Sequence, residues 1–367
     1  AWARWLESLG YAVPEPTTLL YTQKSDQIEY EKGGAQPASL ALPREHNDTR
    51  FMVDSAINYI GQQHDNWLVH LSLLRPHPPW IAPEPYNAMY PPEKLQNFER
   101  QPDIETEAKQ HPLLNYYLHL PYHFVTDDDK KTTRLKASYF GLMTEVDDNL
   151  GRLFEFLKKT GQWNDTLIIF TSDHGEQMGD HWLLGKMGYF DASYHIPLII
   201  RDPDQRADKN RNKQINAFSE NIDIMPTLLE WLDLEIPRQC DGLSLLPIIR
   251  NGLSPENWRK AAHWEFDFRS VVSGQALEQT LGLTQDQCTL NVLRDEHYKY
   301  VHFVNLPPLF FDLKADPGEF INQAKNPKYQ PLVLEYAQKM LSWRMKHDEQ
   351  TLTHLALTEE GVISRDP

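Results

Sequence analysis

The stretch TLIIFTSDHGEQMGDHWLLGK, residues 166–186, decides the fold, because it joins an apolar, β-branched run to a long polar loop at a sharply defined point. TLIIF has the length and composition of a buried strand. Just beyond it, Asp173 and His174 stand side by side. Neighbouring side chains in an extended strand point to opposite faces, so the two can address one ion only where strand gives way to loop, and Gly175 permits that break. An isolated Asp-His pair is more often a surface turn. Here it follows a strand and shares its loop with Glu176, Asp180, His181 and Lys186, which favours a metal-centred anion site. Two ligands do not close such a site, since zinc takes about four and calcium or manganese about six.

Working outward, KASYFGLMTEVDDNLGRLFEFLKKTG (136–161) predicts a long helix: Tyr139, Leu142, Met143, Val146, Leu150, Leu153, Phe154 and Leu157 share one face, and Gly161 marks its exit. NWLVHLSLL (66–74) reads as a strand buried on both faces, stopped by the prolines of RPHPPW, so that His77 falls at a strand's C-terminal end. IPLII (196–200) and the helix-like IDIMPTLLEWL (222–232) continue the alternation. Together these predict an α/β chain with a largely parallel sheet between helices, whose ligands bind outside the carboxyl ends of the strands. His77 and Asp173-His174 both lie at such ends.

Residues 1 to about 50 read as an irregular approach, and 80–135, rich in Pro, Tyr and His, as an insertion serving as lid or oligomer contact. After about residue 255, short alternating strands and a helix near 329–347 predict a smaller α+β domain, giving domains 1–255 and 256–367. Of 367 residues 40% are hydrophobic, an ordinary globular composition. The net charge of −16 argues against a nucleic-acid or anionic-membrane surface, so an anionic substrate needs a local positive site. Two cysteines, Cys240 and Cys288, cannot frame a fold by disulfides and suit a reducing, cytoplasmic setting. No run reaches the roughly 18 apolar residues of a membrane span. The chain opens on AWARWLESLGY, the interior of a helix by its pattern, which suggests that an N-terminal part is missing.

The run SYFGLMTEVDDNLGRLFEFLKKTGQWNDTLIIFTSDHGEQMGDHWLLGK, then YHIPLIIRDP, then NIDIMPTLLEWL with CDGLSLLPII, resembles in order the middle and C-terminal parts of the sulfatases of the alkaline phosphatase superfamily. RPHPPW, QMGDHWLLGKMGYFD and HWEFDFR look most like its phosphonate monoester hydrolase and phosphodiesterase branch. The resemblance implies an alkaline-phosphatase-like sheet, one divalent ion (manganese, calcium or zinc), and Asp173 and His174 as its two C-terminal ligands. It implies that Lys186, twelve positions after His174, touches substrate and nucleophile, and that His77 contacts the transferred group and leaving oxygen. It further implies a small anionic ester as substrate, a homo-oligomer (a tetramer), and a formylglycine nucleophile made within Cys/Ser-x-Pro/Ala-x-Arg. No such motif occurs in the chain, so the nucleophile and the first metal ligands are expected in the missing N-terminal part, and this chain alone is expected not to turn over.

An arylsulfatase proper, or a noncatalytic fragment or paralogue serving as a binding or assembly module, are the alternatives. Among the remaining candidates His195 is expected to be buried beside a strand start, and His263 to pack among aromatics rather than hold a second metal. Asp180 and His181 could orient His174 or Lys186. Glu145, Asp147 and Asp148 are expected on a solvated or helix-packing face.

Overall fold

The computed structural model describes residues 1–15, 20–21, 39–95, 97–120, 125, 128–186, 188–270, 276–347, 355–359 and 361–364. They divide into two units, Ala1–Gln205 and Arg206–Pro367, so the sequence boundary near residue 255 falls inside the second.

In the first unit, α1 (Trp2–Ser8), α2 (Asp48–Gly61), α3 (Ile104–Ala108), α4 (Pro112–Leu118) and α5 (Asp129–Lys159) precede β1 (Ile168–Thr171), α6 (Asp191–Tyr194) and β2 (Leu198–Arg201). The irregular approach expected over the first 50 residues is corrected by α1 and by the start of α2; residues 22–38 lie outside the described residues. Leu6 of α1 packs with Leu20, Leu40, Leu42 and Ile81 in one apolar cluster. Asn47 caps α2, its Oδ1 accepting from the Asp48 N–H at 2.8 Å, while Val53, Ala56 and Ile60 bury the inner face. The segment read as an insertion is also core: Trp80, Ile81, Tyr86, Leu113, Leu114 and Tyr117 are buried. Its prolines direct the chain through turns rather than ladders, which hides a packed segment from a search for periodicity.

The long helix α5 is as expected, with one deviation on its apolar face, since Met143 is 45% exposed. Of the two readings of Glu145, solvated or helix-packing, the second holds, since it packs α5 against the start of α2. It is wholly buried, accepting from Asn47 Nδ2 at 2.9 Å and Thr49 Oγ1 at 3.4 Å. Burial, with the neighbouring Asp48 charge, pushes its carboxyl up from 4.5 to about 7. A folded-state value above the unfolded one means that the native state holds the extra proton, so this contribution to stability is full below pH 4.5 and is lost as pH rises through about 7. Glu145→Gln, which keeps the shape and removes the titration, is expected to flatten the fall in urea midpoint across that window and to be the more stable protein at pH 8. An unchanged pH slope would contradict this assignment.

The strand expected at 66–74 is extended but has no ladder partner among the described residues. Its burial alternates, with Trp67, Val69, Leu71 and Leu73 half-buried and Leu68 77% exposed, so it is covered on one face rather than two. The ladder that does form in this unit, β1 with β2, is antiparallel, pairing Ile168 with Arg201 and Thr171 with Leu198. The loop and α6 between them return the chain at the end where β1 stops, which dictates antiparallel pairing; a parallel neighbour needs a crossover back to the starting end.

In the second unit, α7 (Ile224–Trp231) and α8 (Leu246–Asn251) precede β3 (Ala261–Asp267), α9 (Leu277–Leu281), β4 (Thr289–Asp295), β5 (Tyr298–Phe303), β6 (Leu309–Asp312), α10 (Gln330–Lys346), β7 (Leu355–Thr358) and β8 (Gly361–Ser364). Strands β3 to β6 form one antiparallel sheet in sequence order, and β7 pairs β8. Leu293, Tyr300 and Phe310 of the larger sheet pack with Tyr336 and Met340 of α10, the α+β arrangement expected for the C-terminal part. The segments NIDIMPTLLEWL and CDGLSLLPII meet: the buried Asp223 carboxylate pairs with Arg259 and accepts from the Leu243 N–H at 2.7 Å. A Cβ at Gly242 would lie 2.1 Å from the Ile222 carbonyl oxygen, so only glycine fits that approach.

Candidate metal and anion site

Residues 172–186 leave β1 as a tightly tied loop. Ser172 Oγ donates to the His174 carbonyl at 2.7 Å, and Asp173 Oδ1 accepts from the His174 N–H at 3.0 Å. The Gly175 N–H donates to the Ser193 carbonyl at 2.8 Å. A Cβ on Gly175 would stand 2.1 Å from the Ala192 carbonyl oxygen, so its role is close backbone approach to α6, beyond the break foreseen from sequence. Gln177 closes the loop, donating from its backbone to the Gly185 carbonyl at 2.9 Å and from its side chain to Ser193 Oγ at 3.1 Å. The Glu176 carboxylate accepts from the N–H groups of Gly185 and Met178 and thereby sets the turn into Lys186. Its burial raises the carboxyl above its ordinary value, and those backbone bonds and the Lys186 charge oppose the rise.

Three of the four predicted site residues come together. Lys186 Nζ lies 2.6 Å from His174 Nε2, and Asp173 Oδ2 lies 3.6 Å from the same nitrogen. His174 Nδ1 sits 2.7 Å from the Gly175 carbonyl oxygen. A carbonyl only accepts, so Nδ1 carries the proton and Nε2 holds the lone pair, which here accepts from the Lys186 ammonium and is the form a metal ligand requires. Ligand atoms on one dication, with bonds of about 2.1 Å, stand roughly 3 to 3.5 Å apart, close to the separation of Oδ2 and Nε2. The pair therefore fits as part of a dication site. Among the described residues no group of three or more His, Cys, Asp or Glu gathers as a complete set.

His77 stands apart from this cluster. No hydrogen bond or ion pair joins it to Asp173, His174 or Lys186 among the described residues. It is exposed, on the turn where its N–H donates to the Leu74 carbonyl at 3.0 Å, and its Nδ1 lies 2.8 Å from the Pro78 carbonyl oxygen. The same logic leaves its Nε2 outward and free to exchange a proton. Arg75, overlooked in the sequence, binds this turn: Nη1 donates to the carbonyls of His77 at 2.7 Å and Pro79 at 2.9 Å. An arginine at the end of an apolar run, just before a proline-rich turn, was the available signal.

The described contacts of Asp180 and His181 lead to residues other than His174 and Lys186. His181 Nδ1 pairs with the buried Glu107 at 2.9 Å and its ring stacks on Phe190 at 3.7 Å, while Asp180 Oδ1 accepts from the Glu99 N–H at 3.0 Å. Both fasten the loop to residues 99–107. His195 is exposed, not buried, because α6 ends there and turns its side chain outward before β2 begins. His263 packs as expected, stacked on Trp343 with centroids 4.4 Å apart, and burial drives its ring down to about 4, so it is neutral at physiological pH.

Comparison with known proteins now decides the family. Residues 11–234 match the family model described as sulfatase, and 179–346 match that of the N-sulphoglucosamine sulphohydrolase C-terminal region. The chain belongs to the sulfatase family. This sulfatase-family chain is 45% identical to the multifunctional alkaline phosphatase superfamily protein PehA of Trinickia caryophylli, across 99% of the chain and 71% of that protein. It is 27% identical to an arylsulfatase of Clostridium perfringens, over 83% of the chain and 59% of the relative's length. Among solved structures, the phosphonate monoester hydrolase of Agrobacterium radiobacter superposes with a TM-score of 0.89 at 42% identity, over 100% of this chain and 73% of that one. The α/β sulfatase fold and membership of the alkaline phosphatase superfamily follow, and the relatives identify the chain as part of the sulfate- and phosphonate-ester hydrolase group.

Proposed function

We propose that this chain supplies the anion-binding half of a metal-dependent hydrolase of phosphonate monoesters and phosphodiesters, with a formylglycine-type nucleophile contributed from outside these 367 residues. The observation that carries the reading is the cluster at the end of β1, where the Lys186 ammonium and the Asp173 carboxylate both stand beside the lone-pair nitrogen of His174. Asp173 and His174 would hold the divalent ion (manganese, calcium or zinc), which when bound supplies Lewis-acid stabilisation of a nonbridging oxygen. Lys186 places a fixed positive charge beside the oxygens of the transferred group, and His77, in its doubly protonated form with Nδ1–H kept on the Pro78 carbonyl, passes the Nε2 proton to the departing oxygen and is left as the neutral imidazole. In a chain of net charge −16 such a local cation is what draws an anionic ester in. Leu68 and Ile199, 77% and 63% exposed, offer apolar surface that further polypeptide would cover.

Aryl esters of a phosphonate, a phosphodiester and a sulfate, all with the same leaving group, test the proposal when assayed on the product of the whole reading frame. Higher kcat/KM on the first two is expected. Preference for the sulfate would make it an arylsulfatase. The second reading is a noncatalytic binding or assembly module, and no turnover of any of the three esters would favour it over the first.

A further inference from the structure

We propose that Arg75 is a positioning residue for His77, held in that task by the buried carboxylate of Asp48 on α2. The inference rests on the reading that His77 acts on the leaving group.

The turn RPHPP cannot fix itself. Pro76, Pro78 and Pro79 have no N–H, and the N–H of His77 is committed to the Leu74 carbonyl, so among the described residues the His77 carbonyl needs a donor from a side chain, whereas the Pro79 carbonyl also accepts from the Ile81 N–H at 2.9 Å. Arg75 Nη1 is that donor, at 2.7 and 2.9 Å, and it grips the carbonyls on both sides of the proline pair. The imidazole orientation is set by the same turn, since Nδ1 points to the Pro78 carbonyl at 2.8 Å. Moving the turn therefore moves Nε2.

The guanidinium is held at a cost that stability alone does not explain. Arg75 is 4% exposed, over the Tyr21 ring at 4.1 Å, with its Nε 3.7 Å from Asp48 Oδ1. Asp48 Oδ2 accepts from the Tyr21 hydroxyl at 2.9 Å, and Glu145, held by Asn47 and Thr49, lies in the same buried network. Yet Nε and Nη2 of Arg75 and Oδ1 of Asp48 make no hydrogen bond among the described residues. A buried charge pair this incompletely bonded is the kind that apolar side chains replace without loss of stability, so its presence points to geometry rather than to folding energy. Arg, with a planar fork whose charge does not titrate, suits a grip on two carbonyls better than Lys.

The test compares esters with leaving groups of low and high basicity, because only the latter need the proton that leaves Nε2 as the ester bond breaks. Arg75→Lys, and Arg75→Met combined with Asp48→Asn so that no buried charge is left alone, are assayed on the product of the whole reading frame beside His77→Ala, with melting curves for each. The expected result is a loss of kcat of at least about tenfold on the basic leaving group and little change on the acidic one, with His77→Ala showing the same pattern more strongly. Adding Arg75→Met and Asp48→Asn to His77→Ala is expected to cost nothing further, as for residues acting through one group. Equal losses on both leaving groups, or additive losses, would overturn the proposal and leave Arg75 a structural residue. If His77→Ala itself shows no dependence on the leaving group, the assignment of His77 fails first, and the two failures are told apart by that one variant.

Discussion

Lys186→Ala is expected to lower kcat by roughly 100- to 1,000-fold, the loss that follows removal of one preorganised group from a developing oxyanion. The ammonium is partly buried and stands 2.6 Å from His174 Nε2, at the rim of the strand end where the substrate oxygens are proposed to sit. A partly desolvated charge acts more strongly than one in water, and it needs no reorganisation at the moment of reaction. The backbone around it is held independently: Glu176 accepts from the Gly185 N–H, and Gln177 donates to the Gly185 carbonyl. The variant is therefore expected to melt with the wild type. Steady-state kinetics with a thermal melt checks both halves, and wild-type turnover in a folded variant would remove Lys186 from the mechanism.

Asp173→Ala is expected to abolish turnover while leaving stability within about 0.5 kcal/mol, as for a surface substitution. The side chain is 87% exposed, and its one hydrogen bond in the loop is to the neighbouring His174 N–H. The proposed ligand role is consistent with a carboxylate that does so little for the fold yet stands 3.6 Å from a lone-pair imidazole nitrogen. Kinetics and urea unfolding of the same preparation separate the two effects. A large loss of stability would mean that Asp173 serves the loop rather than an ion.

The legible parts of the fold are those that local pattern controls. The α5 stripe, the short strands β3 to β6 and the break of β1 at Asp173 all follow from periodicity and chain-breaking residues. Residues 80–135 read as an insertion because prolines and turns conceal a segment whose burial is tertiary, as Trp80 and Tyr86 show. Leu68 and its neighbours were read as buried on both faces because an apolar run does not say what lies against it. Glu145 is the sharper case. On the helix it is one more carboxylate, and only the approach of Asn47 and Thr49, nearly 100 residues away in sequence, makes it buried and bonded.

The site was legible to a comparable degree. Adjacency pointed to Asp173 and His174, and the family resemblance pointed to Lys186, whose contact with His174 spans twelve positions. The tautomer of His174 was not legible, since it is set by the Gly175 carbonyl. Nor was the use of Arg75, which depends on where the carbonyls of His77 and Pro79 point.

The central claim is that Asp173 and His174 are ligands of one divalent ion. Elemental analysis of the whole reading-frame product, purified beside its Asp173→Ala variant and dialysed identically, tests it most directly. The account predicts about one tightly held dication in the wild type and its loss in the variant, which retains the fold, since removing even an outer-shell partner of a ligand weakens binding by about 10- to 100-fold. Equal metal content in the two proteins would contradict it.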